Sequence, residues 1–265
     1  MAHVPALEVI DDCGIQPTAV AGTSMGAIVG ALYASGMPGK DIRAGVDEHI
    51  VGKDDDFKEV LSKAPKLLKW LNVVSPEFRR GGMLKADGFL RYLIEQFGVK
   101  TFEELEIPLY VVTTDFWSGE PVVISRGELL PAIKASMAIP GVFAPVVIDE
   151  AVLVDGGVVN NLPYDVISDL CDHTIAIDVA PTRRPRVKKV PNVLDSVLGM
   201  FDMMVARAAI DKLEKSPPTV YCRPEILDVR TLDFDHIEDV YEMAKPAVEI
   251  LRADLQKYVD NVDGH

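Results

Sequence analysis

Basic residues and cysteines are scarce in this sequence. Lys and Arg number 27 against 41 Asp and Glu, so the formal net charge is −14. Nucleic-acid binding depends on a basic surface that neutralises phosphates, and we therefore expect no nucleic-acid partner. The three cysteines are too few and too scattered for a disulfide framework, so we expect buried, reduced thiols.

Long hydrophobic runs and internal repeats are also missing. No apolar run approaches the roughly 18 residues that a membrane-spanning helix needs. The N-terminal segment MAHVPALEVIDD is acidic and lacks the basic start and apolar centre of a secretory signal peptide. We therefore expect a cytoplasmic protein. Its 265 residues, 48% of them hydrophobic, predict a single domain spanning 1–265 with a substantial core.

Helix-like and strand-like segments alternate along the chain. Helical spacing, caps and prolines predict helices at 4–13, 25–35, 128–136, 192–213 and 236–260. Apolar and β-branched runs predict strands at 18–21, 109–115, 121–125, 173–180 and 219–222, and a hairpin over 146–154. This alternation indicates an α/β fold with a mostly parallel central sheet covered by helices on both faces.

The segment Gly22-Thr23-Ser24-Met25-Gly26 has the G-x-S-x-G pattern and lies between a predicted strand and a predicted helix. In that context a sharp turn exposes the serine hydroxyl, and the small neighbours let strand and helix pack closely. The amides at the start of the following helix point towards the place where an oxyanion would form. The alternative is a glycine-rich turn with an incidental serine.

A nucleophilic serine needs a base, and no histidine is in a setting that marks it as catalytic. The five are His3, His49, His173, His236 and His265. A histidine-dependent esterase using His236 stays open as an alternative. The better candidate is Asp155, which ends an apolar run and precedes Gly156 and Gly157, where α/β sheets place functional groups. An Asp-Gly turn without function is the other interpretation of this segment.

Three segments together closely resemble the patatin-like phospholipases, in particular the short prokaryotic members. They are Gly22–Gly26 with its helix, KASMAIPGVFAPV at 134–146, and Asp155-Gly156-Gly157. The resemblance implies a three-layer α/β/α fold and hydrolysis of acyl esters of phospholipids or lysophospholipids. It implies a Ser–Asp dyad, with Ser24 as nucleophile and Asp155 as general base, and no metal or other cofactor.

The same resemblance assigns further residues to the site. Met25 would donate its backbone N–H to the oxyanion, and the segment around Ser136 to Pro145 would shape the site. Ile139, Pro140 and Phe143 are candidates for an acyl groove, although core packing explains them equally well.

The resemblance breaks off at the first residue. Members of the family carry a strand and a glycine-rich oxyanion loop just upstream, which are absent here, so we expect the native start to lie before Met1. Without that loop, a catalytically impaired patatin-fold protein that binds or regulates is the alternative to an enzyme.

Residues of about 50–98 form a possible cap region. Its apolar residues, among them Leu67, Leu68, Trp70 and Leu71, alternate with lysines. An interfacial helix that contacts lipid, with peripheral membrane association, and a cap helix packed on the core are both consistent with this pattern.

Overall fold

The structure is a computed structural model that describes residues 1–47, 98–139, 143–180, 182, 190, 193–227 and 237–263. Within these ranges the helices are α1 (His3–Asp12), α2 (Met25–Ala34), α3 (Gly39–Val46), α4 (Leu129–Ser136), α5 (Gly157–Asn160), α6 (Val193–Lys215) and α7 (Ile237–Asp263). The strands are β1 (Val20–Thr23), β2 (Leu109–Asp115), β3 (Pro121–Ile124), β4 (Val146–Ile148), β5 (Ala151–Asp155), β6 (Ile175–Ile177) and β7 (Val220–Cys222).

Every helix and strand predicted within the described residues has an observed counterpart, with ends shifted by a few residues. The sequence did not predict α3 and α5. The cap expected at about 50–98 lies outside the described residues, apart from Gly98. No helix in the described part of the chain is long and apolar enough to cross a membrane.

The central sheet is mixed, which corrects the prediction of a mostly parallel sheet. Among the described residues of this sheet β1–β2 pair in parallel, whereas β2–β3, β2–β5 and β4–β5 are antiparallel. β6 and β7 pair in parallel in a separate two-stranded sheet. Residues 116–120 join β2 to β3, and Asp149 with Glu150 joins β4 to β5. Both connections are too short for a parallel crossover. The φ angles of Asp149 and Glu150 are 47° and 69°, as in the two-residue turns that fit the twist of a hairpin.

The central strand β2 brings the ends of β1 and β5 together. β3 pairs with residues 111–114 of β2, β1 with 109–112 and β5 with 113–115. A strand has two edges, and β3 occupies one edge of β2 over residues 111–114. β1 and β5 each pair with part of that same stretch, so both must lie on the other edge, one after the other. β1 runs parallel to β2 and β5 antiparallel, so their carboxyl ends meet. Thr23 and Asp155 are the last residues of these two strands.

Both faces of β2 are covered. Val111, Val112 and Thr113 are fully buried, and the neighbouring Thr114 has 3% of its surface exposed. Since successive side chains of a strand point to opposite faces, layers must pack on each side, which gives the three-layer α/β/α arrangement. The main apolar core joins β1, β2 and β7 with α1 to α4 and α7. Cys222 is buried as predicted, while Cys13 and Cys171 are half-buried; all three thiols are free.

Candidate active site

Ser24 occupies a strained turn between β1 and α2. Its φ of 52° and ψ of −119° lie outside the regions that residues with a side chain normally adopt. The turn also needs glycine at position 22, since a Cβ on Gly22 would lie 2.3 Å from the carbonyl oxygen of Gly26. The G-x-S-x-G pattern therefore corresponds to the sharp strand–helix turn that the sequence predicted.

Asp155 is buried at the end of β5, with 2% of its surface exposed. Its Oδ1 accepts a hydrogen bond of 2.7 Å from the backbone N–H of Gly157. Burial raises the pKa of Asp155 to about 6, and hydrogen bonding from the Gly157 amide and the Ser24 hydroxyl partly offsets this effect. The carboxylate is thus a stronger base than an exposed aspartate, and it interacts directly with the serine side chain.

Two polar side chains hold the backbone around Ser24 in place. The N–H of Ser24 donates to Oγ of Ser136 at 2.8 Å, and that hydroxyl donates to the carbonyl of Val112 at 2.7 Å. On the other side of the turn, the Thr23 hydroxyl donates to the Asn160 carbonyl at 2.7 Å. The turn that carries Ser24 is therefore fixed to β2, through α4, and to α5.

The glycine after Asp155 permits a close backbone contact. A Cβ on Gly156 would lie 2.3 Å from the carbonyl oxygen of Val112, a distance that neither backbone can relieve without moving. Gly157 is also confined, because a Cβ there would lie 2.9 Å from Oδ1 of Asp155. The two glycines let the Asp155 turn pack directly against β2.

We predict that Gly156→Ala lowers the free energy of unfolding by about 1–3 kcal/mol, as expected for an overpacked contact between backbones. Gly45→Ala in α3 is the matched control, because a Cβ there meets nothing within 4 Å. It should stabilise the protein by about 0.5–1 kcal/mol through the helix preference for alanine. Urea unfolding of the two variants measures both effects. A Gly156→Ala protein as stable as the parent would contradict the close contact.

The first turn of α2 supplies donors beside Ser24. Met25 and Gly26 are the first two residues of this helix, and their N–H groups have no acceptor within it. The N–H groups of Ala27 and Ile28 instead bond the Ser24 carbonyl, at 2.9 Å and 3.3 Å. The positive end of the helix dipole lies at the same point. This arrangement suits an anionic oxygen next to the Ser24 hydroxyl.

A cavity of about 880 Å³ contains Ser24 and Asp155 in its wall. Most of its lining is apolar and includes Met25, Ile139 and Phe201. Of the three predicted acyl-groove residues, Ile139 lines this cavity. Phe143 does not line it; its N–H donates to the carbonyl of Ile139 at 3.0 Å. Pro140 lies outside the described residues.

Both histidines within the described ranges, His3 and His173, line the same cavity. Burial lowers the pKa of His3 to about 3, so this imidazole is a poor proton acceptor. His236, the histidine of the alternative esterase mechanism, lies outside the described residues. Within the described ranges no three His, Cys, Asp or Glu side chains are grouped so as to hold a metal ion.

Sequence reasoning missed a polar cluster beneath the Asp155 turn. Nζ of Lys212 lies 2.5 Å from Oδ1 of Asn160 and 2.5 Å from Oδ1 of Asp165. The amide of Asn160 donates in turn to the Asp165 carboxylate at 3.1 Å. The asparagine pair after the two glycines hinted at a polar role here, but no local pattern links it to a lysine in α6.

Comparison with known proteins places these features in a family. Residues 1–167 match the family model described as patatin-like phospholipase. An uncharacterized NTE family protein of Mycobacterium tuberculosis is 31% identical over 221 residues, which cover 80% of this chain and 57% of that protein. Neuropathy target esterase sws of Drosophila melanogaster is 28% identical over 271 residues, or 90% of this chain and 18% of that protein. This chain therefore spans less than two thirds of the length of either relative.

Among solved structures, VipD from Legionella pneumophila has a TM-score of 0.48 at 14% identity, covering 94% of this chain and 64% of that one. The expectation that the N-terminal glycine-rich loop is missing is not borne out, since the family model matches from residue 1. Because the family model matches residues 1–167, more than half of the sequence, this chain belongs to the patatin-like phospholipase family.

Proposed function

We propose that this chain is a serine acyl hydrolase that cleaves fatty-acyl esters of phospholipids or lysophospholipids through Ser24 and Asp155. The observation that carries this proposal is the meeting of β1 and β5 along one edge of β2, which sets a strained serine beside a buried carboxylate. The apolar cavity next to them suits an acyl chain. The names of the family and of its esterase relative favour lipid esters as substrates.

In the first step, Asp155 accepts the proton of the Ser24 hydroxyl while Oγ forms a bond to the acyl carbon. The negative charge moves to the carbonyl oxygen, which the amides of Met25 and Gly26 stabilise. The carbon–oxygen bond to the alcohol then breaks, and the alcohol leaves with the proton from Asp155. Water then attacks the acyl carbon while Asp155 accepts its proton. The bond between that carbon and Oγ of Ser24 breaks, the proton passes from Asp155 to Oγ, and the fatty acid is released.

The environment of Asp155 fits the role of a direct base. A carboxylate with an ordinary pKa would be too weak to take a serine proton efficiently, whereas burial raises the pKa of Asp155 to about 6. The group stays ionised at neutral pH and is still closer to the optimum for proton transfer.

We further propose that the protein is cytoplasmic and meets its substrates at a membrane surface, where long-chain esters reside.

We predict that kcat/KM for a soluble p-nitrophenyl ester rises with pH and levels off above an apparent pKa of about 6. The sign follows from the mechanism, because only the ionised Asp155, whose pKa is raised to about 6, accepts the serine proton. The profile is measured between about pH 4.5 and about pH 8.5, with initial rates at several ester concentrations.

Two histidine variants distinguish the dyad from the alternative mechanism. His236→Ala and His3→Ala should both keep serine-dependent turnover and the rise of kcat/KM with pH below about 6, the acidic limb of the profile. Loss of turnover in His236→Ala with Asp155 intact would favour the histidine-dependent esterase. No turnover in the parent protein, on soluble esters and on dispersed phospholipid alike, would favour a binding or regulatory protein.

A further inference from the structure

The cluster of Lys212, Asn160 and Asp165 includes the last residue of α5, the helix that begins two residues after Asp155. α5 spans four residues, Gly157–Asn160. A single turn of helix is not stable on its own, so its position depends on contacts from the rest of the molecule. Both of its ends make contacts that bear on the proposed reaction.

The first residue of α5 holds the carboxylate. The N–H of Gly157 donates to Oδ1 of Asp155 at 2.7 Å, so a displacement of α5 changes the orientation of that group. The aromatic ring of Phe201, from α6, also lies against this turn, 3.6 Å from where a Cβ on Gly157 would be.

The last residue of α5 holds the serine turn. The carbonyl of Asn160 accepts the Thr23 hydroxyl at 2.7 Å, and Thr23 directly precedes Ser24. Thr23 and Asn160 are both buried, with 5% and 8% of their surfaces exposed. One short helix thus contacts the chain segments of both reacting residues.

The side chain of Asn160 is fixed by Lys212, which extends from α6. Nζ of Lys212 donates to Oδ1 of Asn160 at 2.5 Å, to Oδ1 of Asp165 at 2.5 Å and to the Leu162 carbonyl at 3.3 Å. The three acceptors match the three protons of an ammonium group. Asp165 balances the charge and also accepts from the Asn160 amide at 3.1 Å, so both ends of that amide are bonded.

We infer that Lys212 is a positioning residue for the proposed hydrolase: by fixing Asn160 it sets α5, and through α5 the relation of Asp155 to Ser24. This inference rests on the proposed function. Lys212 does not line the cavity that contains Ser24 and Asp155. Among the described residues its Nζ contacts Asn160, Leu162, Asp165 and the ring of Tyr164. Its effect should therefore fall on the rate of the chemical step and not on substrate binding.

Replacing Lys212 by methionine tests the inference. Lys212→Met should lower kcat for a soluble p-nitrophenyl ester by about 10–100-fold, with KM changed by less than about threefold, because small displacements of reacting groups cost this much. Lys212→Arg keeps a cationic donor and should recover most of the rate. Lys215→Met, at an exposed lysine of the same helix, is the matched control and should leave both constants unchanged.

The pH profile separates positioning from general destabilisation. The Gly157 amide lowers the pKa of Asp155, so loosening α5 should move the acidic limb of kcat/KM in Lys212→Met upwards from about 6. Active serine is counted with a fluorophosphonate so that rates refer to folded enzyme. Unchanged kcat and an unchanged limb per active serine, with only the melting temperature lowered, would overturn the inference.

Amide hydrogen exchange gives a readout that needs no turnover. Exchange across 156–160 should accelerate in Lys212→Met and not in Lys212→Arg or Lys215→Met. If the parent protein has no serine-dependent activity but exchange changes in this way, the proposed function fails while the tie between Lys212 and α5 stands. If exchange is unchanged, the positioning role fails whatever the activity. Should Lys212→Met not fold, Asp165→Ala, at a half-exposed side chain, tests the same cluster with the same readouts.

Discussion

Ser24→Ala is expected to reduce ester hydrolysis on the order of 10⁴-fold or more, to the level of the uncatalysed reaction plus binding effects. The reason is that no acyl-enzyme forms without the hydroxyl, while the cavity and the amides of α2 remain. Steady-state rates on a soluble ester measure the loss. A fluorophosphonate should add one phosphonyl group to the parent protein, located at Ser24 by peptide mass, and none to Ser24→Ala.

Ser24→Gly is the matched variant, because it removes both the hydroxyl and the backbone strain. A residue with a side chain at φ 52° and ψ −119° costs about 1–3 kcal/mol, and glycine adopts such angles readily. We therefore expect Ser24→Gly to be as inactive as Ser24→Ala but more resistant to urea, by about 1 kcal/mol. Equal stability of the two variants would contradict a strained turn, and residual turnover in both would contradict Ser24 as nucleophile.

Asp155→Asn is expected to lower kcat/KM by roughly 10²–10⁴-fold, the usual contribution of a general base. The same change should stabilise the folded protein at neutral pH. In the parent protein the Asp155 carboxylate is buried and its pKa is raised from 3.8 to about 6, so the ionised form is less favourable in the folded protein than in the unfolded chain. At about 1.4 kcal/mol for each pKa unit, this corresponds to at most about 3 kcal/mol.

The stabilisation should depend on pH with a definite sign. Between pH 3.8 and about 6 the folded parent binds more protons than the unfolded chain, so its stability falls as pH rises through this window. Asparagine carries no charge, and the advantage of Asp155→Asn is therefore complete above about pH 6 and vanishes towards pH 3.8. Urea unfolding of both proteins at the two ends of the window measures it. An advantage that is the same at both ends would show that the charge of Asp155 is not the cause.

The local sequence determined much of the fold. Runs of β-branched residues fixed β2 at Leu109–Asp115, and the two-residue turn at Asp149 and Glu150 fixed the hairpin. The helices α3 and α5 were not predicted, because their local sequence signals are weak. α3 contains two glycines, which favour other conformations, and α5 is a single turn held by tertiary contacts.

The directions of the strands were predicted wrongly, because alternating strands and helices suggested parallel pairing. β5 follows β4 through a two-residue hairpin turn and not through a helix, and it runs antiparallel to β2. That reversal places its carboxyl end against the end of β1, and a sequence read element by element does not contain this relation.

By itself the sequence determined the chemistry that is available: a serine in a glycine-framed turn and an aspartate before two glycines, both required by short-range backbone geometry. Only the tertiary structure decided that the two residues meet, that the cavity beside them is apolar, and that Asp155 is buried enough to raise its pKa to about 6. It alone brought Asn160 and Lys212 to the site from separate elements. The physical reason is that burial and hydrogen bonds between distant segments depend on how the layers pack, which no local periodicity encodes.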